Sequence, residues 1–335
     1  MKNFTEGQHT DITFLNEPKM SEHEVDKTRN ERRGESVTLL KDFLACHERF
    51  MQKKVNVTFS HHGVSSLVAI LETPEEKLVM KISLRNDQPE GENEFLKVWE
   101  SAGVKTPHIF EEGSLGGRLY SIMEYIDAET LATAPKDNVD LEKRTFDLGK
   151  TLHMMHVPKT EGFGRIFGGK PEHADFASWL AKFGIQRDRV GENGLITAQE
   201  HGSLDEARSI LLTYGETEVK SSYCHYDYGS NNTFNTEPIT VFDPDPILSL
   251  PIIDLGRSIV LAVSGSGKTE TAKHFIAGYE SSGEKVDRRV LQASILLNSA
   301  QKFSRWSKTK KNRLIANVQK YLTETKHFLA SEAQH

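Results

Sequence analysis

The apolar positions in the first third of the chain fall into short β-rich runs. KVNVTFS and SSLVAILET are separated by HHGV, and KLVMKIS follows the turn-like TPEE, which predicts three strands in hairpin succession. GENEFLKVWESAG then carries a helical pattern that stops at a glycine, and RLYSIMEYI is strand-like again. Ahead of these strands, SVTLLKDFLACHERFM has apolar residues at helical spacing and predicts the first helix. The stretch from Met1 to about Glu35 is crowded with Glu, Lys, Arg, Asp and Asn and is expected to be a loosely ordered extension. After about Asp127 the rhythm changes. Leu141, Leu148, Leu152 and Met155 mark one helix face, and helices dominate to the C-terminus, interrupted by the polar, β-rich YCHYDYGSNNTFNTEPITVFDPDP. The expected fold class is therefore α+β: a small antiparallel sheet with one inserted helix over 36–126, then a larger, mainly helical part over 127–335.

Composition narrows the setting. A chain of 335 residues with 37% hydrophobic content can bury a sizeable core. It has no apolar run long enough for a membrane span, and its polar start lacks a secretory core, so a cytoplasmic, membrane-free protein is expected. The two cysteines, Cys46 and Cys224, are too few for a disulfide framework and are expected to be inert buried thiols. The net charge of −6 argues against a nucleic-acid partner.

The chemistry concentrates in HYDYGSNN. His225, Asp227 and Asn232 follow the H-x-D-x-x-x-x-N spacing of a kinase catalytic loop, in which the carboxylate faces an acceptor hydroxyl and the amide oxygen a metal. The run ITVFD then delivers Asp243, and a carboxylate beside an amide oxygen suits a hard cation such as Mg²⁺. Asp227 is thus the candidate base, and Asn232 and Asp243 are the candidate metal ligands, for transfer of a phosphoryl group from ATP. Lys81, on the third strand, sits where a kinase carries the lysine that holds the nucleotide phosphates. Its partner is expected to be Glu92, which shares a helix face with Phe95, Leu96 and Trp99, whereas Glu94 points elsewhere. HHGVSSL is the candidate phosphate loop, with Gly63 allowing close approach and Ser65 and Ser66 as donors; an ordinary hairpin turn explains it about as well. In IMEYI, the backbone around Glu124 and Ile126 is the candidate adenine contact.

These residues, together with PIIDLGRSI, LGKTLHMMH and GFGRIFG, resemble the aminoglycoside phosphotransferases and the kinases related to them, with some likeness to the hygromycin B phosphotransferases among these. The resemblance spans roughly Val55 to Tyr279. It implies a two-lobed, protein-kinase-like fold, ATP and Mg²⁺ as cofactors, and a small-molecule hydroxyl as acceptor. It likewise implies Asp227 as base, Asn232 and Asp243 as metal ligands, and Lys81 with Glu92 as the phosphate-positioning pair. Asp254 resembles the structural acid of the following helix; its own IDLG would be a rival metal motif, but it lies farther past Asn232 than the family spacing allows. Tyr226 stands where the family often has a small residue, which suggests a narrowed acceptor site, and FDPDP adds a second acid, Asp245.

Other readings remain to be weighed. IVLAVSGSGKTETAKHF suggests a P-loop at Gly267, Lys268 and Thr269, although Ala262 occupies the position of its first glycine. Under the kinase reading it is helix, polar turn and helix instead. The basic run KFSRWSKTKKNR from Lys302 to Arg313 is expected to be a solvated face with one buried tryptophan. His153 and His156 share a helix and are expected to be structural, and His61 and His62 lack metal partners. A non-catalytic binding module with the same fold is the competing function; retention of base, both metal ligands, lysine and glutamate favours the enzyme.

Overall fold

The alternating runs of the first part become strands β2 (Lys54–Phe59), β3 (Ser66–Glu72) and β4 (Lys77–Ser83), paired antiparallel in sequence. The computed structural model describes residues 10–18, 20, 27–60, 65–84, 91–134, 140–181, 198–218 and 220–332. Two compact units are present, Met1–Gln88 with Pro107–Asp127, and Pro89–Thr106 with Ala128–His335.

In the first unit, β5 (Ile109–Leu115) and β6 (Arg118–Glu124) complete a six-stranded sheet of order β1-β2-β3-β4-β6-β5. Its first strand, β1 (Asp11–Phe14), runs parallel to β2 and falls within the extension that composition marked as loosely ordered. Ladder bonds and side chains explain the order there. The Asn16 amide bonds both the Phe59 carbonyl and the Phe59 N–H, and Phe14 stacks on Phe59 with centroids 5.7 Å apart. The same extension contributes the opening turns of α1 (Lys27–Cys46), whose Leu40 and Leu44 are fully buried on one face of the sheet with Val55, Val57, Leu71, Met80 and Ile82. Arg118 secures that helix by donating to the Arg32 carbonyl and the Ser36 hydroxyl and by pairing with Glu35. Strand alternation sends the other set of residues to the opposite face. Lys81 pairs across the ladder with Val68 and Ser121, and Ser66 with Ser83, so Lys81 shares that face with Ser66, Ser83 and Ser121. Cys46 is exposed at the end of α1, contrary to the expectation of a buried thiol, because helical phase turns it away from Leu40 and Leu44; Cys224 is buried.

The second unit is mainly helical. Its five-stranded sheet has the order β7-β10-β13-β8-β9. The strands are β7 (Lys159–Thr160), β8 (Phe163–Phe167), β9 (Lys170–His173), β10 (Ser221–Cys224) and β13 (Ile247–Ser249), and a separate hairpin joins β11 (Thr233–Phe234) to β12 (Thr240–Val241). The helices are α2 (Glu92–Ser101), α3 (Leu141–His156), α4 (Phe176–Leu180), α5 (Ala198–Thr217), α6 (Pro251–Ser266), α7 (Glu270–Tyr279), α8 (Arg288–Lys308) and α9 (Asn312–Glu332). The suspected P-loop is the α6–α7 connection: helix flanks it on both sides, and Gly267 ends α6 in the left-handed region (φ 67°) with its N–H on the Val263 carbonyl. No strand precedes Lys268 there, and the stretch is the helix, turn and helix expected under the kinase reading. No described helix is long and apolar enough to cross a membrane.

Helices α3 and α7 cross at backbone distance because each presents a glycine. A Cβ on Gly149 would lie 1.9 Å from the Phe275 carbonyl oxygen, and one on Gly278 would lie 1.9 Å from that of Phe146. Gly149→Ala is expected to destabilise the protein by roughly 1 to 3 kcal/mol through overpacking. Gly34→Ala, in α1 with open space around the added methyl, is expected to gain about 0.5 to 1 kcal/mol from helix propensity. Denaturant unfolding of the two variants measures the contrast.

Candidate functional site

The loop after β10 has to hold polar backbone in a buried place, and one acid does most of that. Asp254 lies in the first turn of α6 and is fully buried. Its Oδ2 accepts the His225 N–H at 2.8 Å and its Oδ1 the Tyr226 N–H at 2.9 Å. His156 completes the set at 3.2 Å from Oδ2, while its other ring nitrogen is 2.9 Å from the Tyr279 hydroxyl. Burial keeps His156 below its ordinary pKa against the pull of Asp254, so the ring is neutral, donates to Asp254 and accepts from Tyr279. Both Asp254 oxygens thus accept from the loop, and Oδ2 also meets His156, as suits a structural acid. Cys224 lies beside the pair: it, His156 and Asp254 each place one ligand-type atom within 4.8 Å of the others, all buried. Their hydrogen bonds make this a structural cluster, in line with the expected role of His156.

Tyr226 adopts φ 59°, a left-handed conformation that costs a bulky L-residue about 1 kcal/mol or more. Its partners compensate. Its N–H is held by Asp254, its carbonyl accepts from Arg257 Nε, and the Arg257 guanidinium lies 3.8 Å from its ring centroid. Its hydroxyl donates to Gln301 Oε1 at 3.2 Å. Tyr226 is therefore turned into the core and does not narrow an open acceptor site as its size suggested.

The turn aims Asp227 outward, with its side chain 47% exposed. His225 is locked beneath it. The ring stacks on Trp99 of α2 at 5.6 Å with planes 3° apart, and Nε2 donates to the Phe242 carbonyl at 3.1 Å. Trp99 itself donates to the Tyr223 carbonyl at 3.1 Å, so the buried face of α2 that includes Trp99 serves the loop of the second unit.

The β11–β12 hairpin places Asn232 opposite Phe242, the residue before Asp243. The register Thr233↔Val241 and Phe234↔Thr240 continues as Phe242 N–H to the Asn232 carbonyl at 3.1 Å, which sets the two candidate ligands at adjoining positions. The Asn232 Nδ2 donates to the Asp227 carbonyl at 2.8 Å and to its Oδ2 at 3.3 Å, and this leaves the amide oxygen as the atom that could offer a lone pair to a cation. Asp243 is exposed and, like Tyr226, left-handed at φ 53°. Asp245, the extra acid of FDPDP, is held by Arg165 at 2.6 Å.

One group escaped sequence reasoning. Lys302 of α8 is 5% exposed, and its Nζ lies 3.3 Å from Asp227 Oδ1. The solvated face expected for its basic run holds at Arg305, Lys310, Lys311 and Arg313, and Trp306 is buried as expected, but the start of the run is not solvated, since Lys302, Phe303 and Ser304 are buried too. Burial alone would push the Asp227 carboxyl up, but Lys302, Arg257 and His225 outweigh it and hold the group below its ordinary value.

The remaining candidates divide between the units. Lys81, Ser65 and Ser66 lie in the first; Ser66 is buried, and its hydroxyl has no hydrogen-bond partner among the described residues. Glu124 closes β6 with its N–H on the His108 carbonyl, and Ile126 follows it, half-buried. Glu92 opens α2 in the second unit, half-buried, and Glu94 is exposed. The stretch of the candidate phosphate loop that includes Gly63, with His61 and His62, lies outside the described residues.

A family model described as "Phosphotransferase enzyme family" matches residues 56–291. No curated protein sequence matches the chain. Among solved structures, the aminoglycoside phosphotransferase APH(4)-Ia aligns over 86% of this chain and 97% of its own at 15% identity, with a TM-score of 0.59. A thermostable mutant of that enzyme in ternary complex with ADP and hygromycin B gives a TM-score of 0.57 at 14% identity, over 81% of this chain and 93% of its own. A candidate fructosamine-3-kinase from Thermobifida fusca YX-ER1 gives 0.53 at 14% identity, over 81% and 95%. The α+β architecture is thus the protein-kinase-like fold that these enzymes share.

Because the folded-state pKa of His156 is depressed, its contribution to stability is complete above the ordinary value of 6.5 and is lost as the pH falls below it. Thermal unfolding is expected to drop between about pH 6.5 and 5 in the wild type and to change less in His156→Gln over that window.

Proposed function

The chain belongs to the phosphotransferase enzyme family, and from that premise we propose that it transfers the γ-phosphoryl group of ATP, with Mg²⁺, to a hydroxyl of a small polar molecule, an aminoglycoside-type compound first among them. The observation that carries this reading is the bond from the Asn232 amide nitrogen to the Asp227 carboxylate, with Asp243 following the residue that pairs with Asn232 across the hairpin.

The donor set fits Mg²⁺. An amide oxygen and an exposed carboxylate at adjoining hairpin positions are hard oxygen ligands, and Asn232 and Asp243 would supply them. When bound, the ion would neutralise charge on the phosphate oxygens. Asp227 would accept a hydrogen bond from the acceptor hydroxyl, orient it and take its proton. The hydroxyl oxygen forms the new bond to phosphorus while the bond to the β–γ bridging oxygen breaks, and ADP leaves. Lys81 would hold phosphate oxygens with Glu92 as its partner, Ser65 and Ser66 would donate to them, and the backbone at Glu124 and Ile126 would meet the adenine edge. The buried Ser66 hydroxyl, on the Lys81 face of the sheet and without a hydrogen-bond partner among the described residues, supports that assignment. The likeness to APH(4)-Ia supports an aminoglycoside acceptor, and that to the candidate fructosamine-3-kinase favours a sugar or amino alcohol as the second reading.

ADP formation from Mg-ATP, measured against aminoglycosides including hygromycin B and against sugars and amino alcohols, tests the proposal. One acceptor class is expected to stimulate turnover. Asp227→Ala is expected to lower the rate by on the order of 10²- to 10⁴-fold while nucleotide still binds, and Asp243→Ala to weaken Mg-nucleotide binding as well. Full transfer activity in Asp227→Ala would remove Asp227 as the base.

A further inference from the structure

Helix α8 touches the catalytic loop with two successive side chains. Gln301 accepts from the Tyr226 hydroxyl and from Arg257, and Lys302 reaches Asp227, so residues 301 and 302 engage residues 226 and 227 one for one. Neighbours on a helix point about 100° apart. The loop therefore has to lie across α8 at one register for both contacts to form.

Burying the Lys302 ammonium works against stability. Arg257 and Arg305 add like charge near it, and with burial they pull its pKa down to about 8 even though Asp227 pulls the other way. A hydrophobic side chain of similar length would fill the space without that cost. What the ammonium gains lies at the carboxylate. Asp227 is half-exposed and Lys302 buried, so Lys302 sits on the protein side of the acid and leaves the outer side open. Lys302 holds Oδ1 and Asn232 holds Oδ2, each at 3.3 Å, and the carboxylate plane is fixed by two donors from separate elements.

We propose that Lys302 is a positioning residue for the reaction, a buried ammonium that clamps Asp227 in the orientation that meets the acceptor hydroxyl. The inference rests on the reading of Asp227 as the base. An ammonium on the acid weakens it as a proton acceptor. In phosphoryl transfer through a loose transition state this is tolerable, because orientation of the hydroxyl matters more than early removal of its proton. Neither the family spacing nor the basic run around Lys302 points to this role.

The test has two arms. In the first, Lys302→Met and Lys302→Arg are assayed for ADP formation from Mg-ATP, with water and with any stimulating acceptor, across pH 6–10. Lys302→Met is expected to lose roughly 10- to 100-fold in kcat with the KM for Mg-ATP unchanged, as misplacement of a reacting group does. The wild-type kcat is expected to decline above about pH 8 as the ammonium loses its proton. The groups facing Lys302 are Asp227, Arg257 and Arg305, and those facing Asp227 include His225 as well. Lys302→Arg should shift that decline upward, because a guanidinium stays protonated. Wild-type kcat in Lys302→Met, or an unmoved decline in Lys302→Arg, overturns the proposal. The second arm needs no turnover. Asp227→Asn strands a buried cation and should lower Tm, and Lys302→Met in the same chain should recover it; an equal Tm loss with and without Lys302 overturns the clamp. Absence of ADP formation with every acceptor would count against the proposed function, and the Tm cycle would still decide the ion pair.

Discussion

A fully buried carboxylate is the constraint around which the second unit is arranged. A carboxyl group in the core needs hydrogen-bond donors, and Asp254 has the N–H groups of His225 and Tyr226, the His156 ring and a place in the opening turn of α6. Those bonds dictate the backbone of the loop, including the left-handed Tyr226 that swings Asp227 outward. The acid does no chemistry itself. It converts the meeting of β10, α3 and α6 into a fixed direction for the residue that follows.

Beside that anchor, the β11–β12 hairpin works as a ruler. Because Thr233 pairs with Val241 and Phe234 with Thr240, Asn232 lies opposite Phe242 and Asp243 is the next residue. A slip of one residue would turn every side chain of one strand to the other face and change which residue lies opposite Asn232. His225 ties loop and ruler together, since its ring bonds the Phe242 carbonyl one residue before Asp243.

What was legible in the sequence was local. The spacing of Asp227, Asn232 and Asp243 lies within one loop and one hairpin, so residue order carries it, and the strands β2, β3, β4 and β6 announced themselves by alternation. Partners supplied from a distance were not legible. Lys302 stands in a run of basic residues that pattern alone assigns to water, and its burial depends on a contact with a residue 75 positions earlier. Trp99 reads as ordinary core, yet its ring forms the floor under His225. Strand β5 alternates between half-buried and exposed positions without a strongly apolar face, and β1 lies in a polar segment whose pairing comes from β2.

The reach of α8 back to the catalytic loop also has a temporal side. Synthesis delivers Asp227, Asn232 and Asp243 before Gln301 and Lys302, so a growing chain that stops short of α8 holds every residue of the kinase spacing and an acid without its ammonium. The contacts that α8 makes at Tyr226 and Asp227 are therefore available to the loop only after a helix synthesised later has folded against it.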